Sequence, residues 1–218
     1  MLKLINFFLD LIFPIDCLGC RRPEVWLCPS CWAKIKIHQP QDTKPPAVYP
    51  DLDSVWIAAD YQQPLLQNLI HCFKYNFVRA LSAPLSQLLI DFFQRQRPSD
   101  LNFDLVIPVP LARKRLIWRS FNQAALLAEK VSETFGWRWS QKIVIRQRYT
   151  KPQVGLSRQQ RQKNIEGVFK VIATSAVKDQ RILLIDDVLT TGSTLSELAQ
   201  TLKNAGAANV QALVIAQG

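Results

Sequence analysis

Residues 181–195, RILLIDDVLTTGSTL, constrain the fold of this chain more than any other stretch. The apolar residues 182–185 predict a strand that is buried on both faces of a parallel sheet, and two carboxylates, Asp186 and Asp187, follow at its carboxyl end. A run of small residues around one glycine comes next, ahead of a segment with helical spacing: Thr190, Thr191, Gly192, Ser193 and Thr194. Loop amides, hydroxyls and a helix amino terminus can together hold an anion, so this order predicts a phosphate-binding loop.

Two adjacent carboxylates have the wrong charge for phosphate, so they must serve another part of the ligand, and ribose hydroxyls are the natural candidate. The segment closely resembles the 5-phosphoribosyl-1-pyrophosphate (PRPP) motif of type I phosphoribosyltransferases. The resemblance implies that Asp186 and Asp187 hold the ribose hydroxyls, that residues 190–194 hold the 5′-phosphate, and that Mg²⁺ accompanies PRPP. The alternative is a strand with an acidic end and a simple turn. A Walker B strand would need a GxxxxGK[ST] loop, which the chain lacks, and it has no GxG for a dinucleotide.

The charge distribution indicates anionic ligands. The chain of 218 residues carries a net charge of +10, while its 48% apolar and 20% charged residues are close to globular averages. Residues 113–163 contain thirteen Lys or Arg against only Glu129 and Glu133, an excess of eleven. Such a region could bind pyrophosphate, nucleic acid or both, and a solvated basic face is the alternative.

Four cysteines form two CxxC pairs separated by seven residues, Cys17 with Cys20 and Cys28 with Cys31. Four thiolates satisfy tetrahedral Zn²⁺, so the spacing predicts a small structural zinc module over residues 15–35. Disulfides would require an oxidising compartment, and a redox CxxC would not need a second copy. Cys72, the fifth cysteine, lies in an apolar helical run and is interpreted as a core residue.

The amino-terminal residues 1–15 have the spacing of an amphipathic helix that packs on the protein or a partner, and contact with a membrane surface is the weaker alternative because no polybasic flank follows. Asp10 interrupts the apolar run, no small-x-small cleavage site follows, and the stretch is too short to span a bilayer. We therefore expect no transmembrane segment and a cytoplasmic location. Residues 39–50 are rich in proline and polar side chains, as in a linker. The predicted organisation is a helix and zinc module over residues 1–38, a linker over 39–50, and one domain over 51–218.

Basic residues follow the second predicted buried strand, at residues 103–110, where an α/β sheet binds its ligands. We expect Arg113, Arg115 and Arg119 to face pyrophosphate in this loop. Lys74 precedes a predicted turn at residues 75–76, where a phosphate contact and a solvated helix-end lysine are equally compatible with the sequence. Residues 151–169 are polar and basic, as in a flexible loop that covers an active site, and Arg158 and Arg161 are its candidate ligand contacts.

The segment PVPL…R…FNQA resembles the signature of the competence-protein ComF family, whose members join a four-cysteine zinc module to a phosphoribosyltransferase domain. The family's usual RGFNQ is RSFNQ at residues 119–123, with Ser120 in place of glycine. The spacing of residues 153–169 also resembles the family pattern, so the resemblance covers essentially the whole chain. It implies a role in DNA uptake and competence-machinery proteins as partners.

The fold that we expect is α/β, a mostly parallel twisted sheet of the phosphoribosyltransferase type with a small four-cysteine module. The leading hypothesis is a protein that binds PRPP and transfers phosphoribosyl to an acceptor that the sequence does not identify. A second hypothesis is binding of single-stranded DNA, with the basic region interleaved by aromatic residues that could stack bases or lie in the core: Trp118, Phe121, Trp137 and Trp139. The third is a PRPP sensor without turnover.

Overall fold

The structure, a computed structural model, describes residues 15–39, 51–95, 102–147 and 167–218. A short helix α1 (Pro29–Trp32) directly follows Cys28 and contains Cys31, and the main domain begins with β1 (Ser54–Asp60) and α2 (Pro64–Tyr75). The remaining elements follow in chain order: a 3₁₀ turn (Arg79–Leu81), α3 (Ser82–Arg95), β2 (Leu105–Pro108), α4 (Arg113–Arg119), α5 (Gln123–Phe135), β3 (Val144–Arg146), β4 (Phe169–Val171), a 3₁₀ turn (Thr174–Ala176), β5 (Arg181–Leu189), α6 (Ser193–Asn204) and β6 (Asn209–Gln217).

The central sheet is parallel and has the strand order β1-β6-β5-β2. The central strands β5 and β6 are covered on both faces, which explains their continuous apolar runs, and residues 182–185 have no exposed surface. Because all four strands run in the same direction, their carboxyl ends meet at one edge of the sheet. The predicted α/β fold with a mostly parallel sheet is confirmed.

Alternating side chains of the sheet build two separate cores. On one face, Leu183 and Ile185 pack with α2, α3 and α5. On the other face, Ile182 and Leu184 pack with α6 and with the two-stranded antiparallel sheet of β3 and β4. Burial of the apolar side chains in these two cores is the main source of the domain's stability.

The cysteine module packs directly on the main domain. Leu18, Trp32 and Ile35 contact the core on the α2 side, and Ile37 forms an antiparallel bridge with Ala59 of β1. The division of the chain at residues 38–39 and 50–51 stays a prediction. Residues 1–14, with most of the predicted amino-terminal helix, and residues 40–50 of the predicted linker lie outside the described residues. Among the described residues, no helix has the length and apolar character needed to cross a membrane.

Candidate functional site

Asp186 and Asp187 lie where the sheet opens. Strand β2 pairs with β5 only as far as Pro108 opposite Ile185, whereas β6 continues beside β5 to Leu189 opposite Gln217. Strand β5 therefore extends four residues beyond the predicted end at Ile185, because β6 still supports it. The two carboxylates therefore lie beyond the last residue of β5 that pairs with β2, at the carboxyl edge of the sheet.

Asp187 is held in a buried ion pair. Its Oδ1 lies 2.7 Å from Nζ of Lys74, and the two side chains are only 12% and 18% exposed, respectively. Burial is the largest single influence and acts to lower the pKa of Lys74, but the charge and hydrogen bond of Asp187 together with the charge of Asp186 outweigh it, so that pKa is raised. Lys74 lies in the last turn of α2, as the sequence indicates, and its side chain faces the predicted ribose-binding carboxylate.

Asp186 belongs to the other face of β5 because successive side chains of a strand alternate. Its Oδ1 accepts a hydrogen bond of 2.9 Å from the backbone N–H of Asp187. Burial and the neighbouring charge of Asp187 raise the pKa of Asp186 to about 7, against the opposing effects of Lys74 and Arg146. The two carboxylates therefore differ in their ion-pair and hydrogen-bond partners. A pKa of about 7 means that Asp186 gains or loses its proton near neutral pH.

The predicted phosphate loop forms the start of α6. Gly192 has φ +74° and is the N-cap, so Ser193 and Thr194 already lie in the first helical turn. The Thr191 and Ser193 hydroxyls are 3.0 Å apart, and residues 188–195 line a cavity of about 30 Å³ together with Asp186. The exposed backbone N–H groups of a helix amino terminus favour an anion at this position.

The basic segment after β2 is helical rather than a loop. Helix α4 presents Arg113 and Arg115 to solvent and ends at Ser120, which has φ +63°. This left-handed conformation is the one that glycine adopts without strain, which explains why RGFNQ is the usual pattern and why serine is the unfavourable choice here.

Arg119 lies below the surface and is only 7% exposed. Its Nη1 donates a hydrogen bond of 3.1 Å to Oε1 of Gln123, and its guanidinium group lies 5.3 Å from the ring centroid of Tyr75. Burial lowers the pKa of Arg119, and the charge of Asp187 acts in the opposite direction. Nε of Arg119 and Nε2 of Gln123 are buried donors without a hydrogen-bond partner among the described residues. Contact of Arg119 with pyrophosphate stays a prediction.

Sequence reasoning missed Arg146 and Tyr75. Arg146 ends β3, its guanidinium lies 5.6 Å from the ring centroid of Phe169, and the charge of Asp186 acts on its pKa, which burial lowers. Alternation along β3 could have placed Arg146 on one face of the strand, but only the fold brings that face to Asp186. Arg158 and Arg161 lie outside the described residues.

The predicted aromatic set separates into exposed and packed members. Trp118 is 57% exposed, whereas Phe121 is buried and Trp137 and Trp139 pack against the core. The exposed neighbours of Trp118 are instead Phe77 and Tyr75, at ring-centroid distances of 5.0 and 6.5 Å. We call Tyr75, Phe77 and Trp118 the aromatic cluster.

The four cysteines converge as their spacing predicts. All four Sγ atoms lie within 4.8 Å of one another, and those of Cys20 and Cys28 are 3.6 Å apart. Four sulfurs around one Zn²⁺ would be about 3.8 Å apart, given the Zn–S bond of about 2.3 Å. A Cβ at Gly19 would come within 2.6 Å of Sγ of Cys31, so only glycine fits this turn.

The cysteine environment also suits a cation. Burial and the adjacent cysteines raise the pKa of Cys31 to about 12, whereas backbone hydrogen bonds overcome the effect of burial and lower that of Cys17 to about 6. Cys31, whose pKa is raised, loses its proton readily near neutral pH only when a positive ion binds. The complete set of four ligands is typical of a structural rather than a catalytic metal site.

Comparison with known proteins agrees with these features. Residues 122–218 match the family described as phosphoribosyl transferase domain. DNA utilization protein YhgH of Escherichia coli O6:H1 is 34% identical over 200 residues, covering 89% of this chain and 86% of that protein. Competence protein F of Haemophilus influenzae is 30% identical, covering 89% and 87%. A solved structure, glutamine PRPP amidotransferase from B. subtilis, aligns with a TM-score of 0.42 and 20% identity over 63% of this chain and 26% of that chain. The predicted family is confirmed: this chain belongs to the family of DNA utilization protein YhgH and Competence protein F, and it contains a phosphoribosyl transferase domain.

Proposed function

We propose that this protein binds PRPP together with Mg²⁺ at the carboxyl edge of the sheet. The observation that carries the proposal is the placement of Asp186 and Asp187 beyond the last residue paired with β2, next to the amino terminus of α6. In this proposal the carboxylates accept hydrogen bonds from the ribose hydroxyls, and residues 190–194 hold the 5′-phosphate. Mg²⁺ would enter with the pyrophosphate and offset part of its charge.

The cations around the carboxylates suit the pyrophosphate. Arg113 and Arg115 are exposed on α4, and the charge of Arg115 acts on the pKa of both Arg119 and Arg146, which supports a role for Arg115 at this site. If transfer occurs, the bond from ribose C1 to pyrophosphate breaks and its electron pair leaves with the pyrophosphate. A lone pair of the acceptor forms the new bond to C1, and any proton on the acceptor passes to water. Positioning and charge stabilisation would supply most of the rate.

Turnover and sensing are two versions of the same proposal, and pyrophosphate release in the presence of an acceptor separates them. We further propose that the four cysteines hold a structural Zn²⁺ and that the protein acts in the cytoplasm, where thiols stay reduced. A role in DNA use or uptake, with competence-machinery partners, follows from the names of the relatives.

Isothermal titration calorimetry with Mg²⁺ and PRPP tests the binding site. The double variant Asp186→Asn, Asp187→Asn should stay folded and lose affinity by about 1.5 to 3 kcal/mol for each charge-assisted hydrogen bond. Asp104→Asn is the matched control, because Asp104 pairs with Arg181 at the start of β5, away from the carboxyl edge. Unchanged affinity in the folded double variant would reject the ribose assignment.

The aromatic cluster favours a second function, binding of single-stranded DNA. Exposed aromatic rings stack bases, and the cations of the neighbouring helix α4 can follow the phosphates. Trp118→Ala should weaken binding by about 1 to 3 kcal/mol without changing its salt dependence, because stacking releases no counterions. Lys114→Ala should instead reduce the salt slope by about 0.7 for a lost phosphate contact. Ile172→Ala is the control for non-specific effects, because Ile172 is an exposed apolar residue that directly follows β4.

A further inference from the structure

A second cavity lies beside the candidate ribose site. It has a volume of about 230 Å³, is open to solvent on one side and is lined by the end of β2 and the residues after it, helix α4 and strand β3. Pro108 of its lining pairs with Ile185, the residue before Asp186, and the N–H of Val109 donates a hydrogen bond of 2.9 Å to the carbonyl of Ile185. The cavity lining therefore pairs directly with the residue that precedes Asp186, the carboxylate proposed to hold the ribose.

Most of the cavity lining is apolar. Pro108, Pro110 and Leu111 come from the end of β2, Leu116 from α4, and Val144 and Ile145 from β3. Leu116 and Ile145 are 43% and 41% exposed, although apolar side chains of this size gain free energy when they are covered. A pyrophosphate would gain little from such walls, whereas a flat ring would cover both of these side chains.

The charged side chains in this lining are both arginines, Arg113 and Arg146. The guanidinium of Arg146 is oriented by the ring of Phe169, and a planar guanidinium binds a carboxylate through two parallel hydrogen bonds. The amides of Asn122 and Gln141 add polar groups to the same lining, although Asn122 is already engaged with Val109 and Ala124. The volume is below the roughly 300 Å³ at which sites for drug-sized ligands begin, which limits the ligand to a small ring system.

We propose that this cavity binds the acceptor of the phosphoribosyl group, and that the acceptor is a small nitrogen-containing ring compound bearing a carboxylate. The proposal rests on the proposed PRPP-binding function and specifies its second substrate. The ring lies between Leu116 and Ile145, and the carboxylate pairs with Arg146, while Arg113 stays with the pyrophosphate as proposed above. A ring nitrogen supplies the electron pair for the bond to ribose C1 as pyrophosphate leaves, and any proton on that nitrogen passes to water.

The test compares ring compounds that differ in charge. Nicotinate against nicotinamide, and orotate against uracil, are titrated by calorimetry into the full-length protein, with and without Mg²⁺ and PRPP. In each pair the acid should bind at least tenfold more tightly than the neutral compound. PRPP is titrated alone in the same series, so that failure of the proposed function is read separately.

Variants locate the binding to this cavity. Leu116→Glu adds a negative charge to an exposed position of the lining and should weaken the acids at least tenfold, with a smaller effect on the neutral rings. Arg146→Gln should also reduce the preference for the acids about tenfold. Ile172→Glu and Arg138→Gln are matched controls at exposed positions outside the lining and should retain the preference.

Three results would overturn the proposal. The first is PRPP binding without binding of any of the acids, which leaves the PRPP site in place and rejects the acceptor assignment. The second is equal affinity for each acid and its neutral counterpart. The third is a preference for the acids that Leu116→Glu and Arg146→Gln both leave unchanged, since the acids would then bind elsewhere. Failure of PRPP itself to bind would reject the proposed function directly.

Discussion

The ion pair between Lys74 and Asp187 offers the sharpest test of how this site is built. We predict that Lys74→Met destabilises the protein by about 3 kcal/mol at pH 8. The charges are 2.7 Å apart, which corresponds to about 6 kcal/mol of attraction at an effective dielectric constant of about 20. Desolvation of both ions offsets part of this energy, and removing one member of a buried pair generally costs about 3 to 5 kcal/mol. The charge of Arg119 also acts on Asp187, which favours the lower end of that range.

The assay is urea unfolding at several pH values, with Lys203→Met as the matched control. Lys203 pairs with Asp53 at 2.9 Å, but these side chains are 34% and 32% exposed, so its loss should cost less than about 1 kcal/mol. For a chain of this size, 3 kcal/mol corresponds to a loss of roughly 6 to 12 °C in Tm. Adding Asp187→Asn to Lys74→Met should recover most of the loss, because the uncompensated buried charge is gone.

The pH dependence of the deficit has a defined sign. Lys74 lowers the pKa of Asp186, so without Lys74 the folded-state pKa of that carboxyl rises further above its unfolded value of about 3.9. A raised carboxyl pKa costs stability above that pKa, and the cost disappears as pH falls and the group binds a proton. The deficit of Lys74→Met should therefore be larger at pH 8 than at pH 5. A loss below about 1 kcal/mol that does not change with pH would refute the buried-pair reasoning.

Three further predictions concern single features. Cys28→Ser, or removal of the metal by a chelator, should destabilise the cysteine module, which proteolysis measures. The effect on PRPP affinity should be much smaller. A metal-free protein of full stability would contradict a structural role for the metal. Ser120→Gly should stabilise the protein by up to about 1 kcal/mol in urea unfolding, because it removes the backbone strain at φ +63°. The control Ser82→Gly, at a helical φ of −59°, should destabilise the protein because glycine only adds conformational freedom to the unfolded chain. Asp186→Asn should stabilise the protein more at pH 8 than at pH 5, since the pKa of Asp186 is raised to about 7 in the folded state and the cost grows from the unfolded value of about 3.9 up to that pKa; a pH-independent effect would reject the burial of its charge.

The sequence was sufficient for features that depend on local order along the chain. The strand, acidic pair and small-residue loop are contiguous, and the cysteine pairs have ligand spacing, so both could be predicted before any tertiary contact was known. Helix α5 (Gln123–Phe135) likewise depends on local signals, its apolar spacing and the Asn122 cap.

Features that depend on contacts between distant segments could not be predicted. The apolar run of residues 182–185 gave no sign that β5 continues to Leu189, since that extension depends on pairing with β6, which lies more than twenty residues away. The sequence predicts a loop where α4 lies, because a seven-residue segment rich in arginine has no clear apolar face. Burial of Phe121 but not of Trp118 is likewise decided by neighbours in α2 and α4, not by residue type.

The alternation of β5 divides the candidate site into two halves. Asp187 faces the core of α2, α3 and α5, where Lys74 and Arg119 act on it, and the aromatic cluster adjoins this half because Tyr75 and Trp118 are the chain neighbours of those two cations. Asp186 faces the core of α6 and the β3–β4 sheet, where Arg146 and the 230 Å³ cavity lie. A ligand that contacts both carboxylates must therefore bridge the two cores at the edge of the sheet. The two halves have different cations, so a substitution in one half should first alter the ligand contacts of that half. The acceptor assay and the DNA assay can therefore be interpreted separately, whereas PRPP contacts both halves.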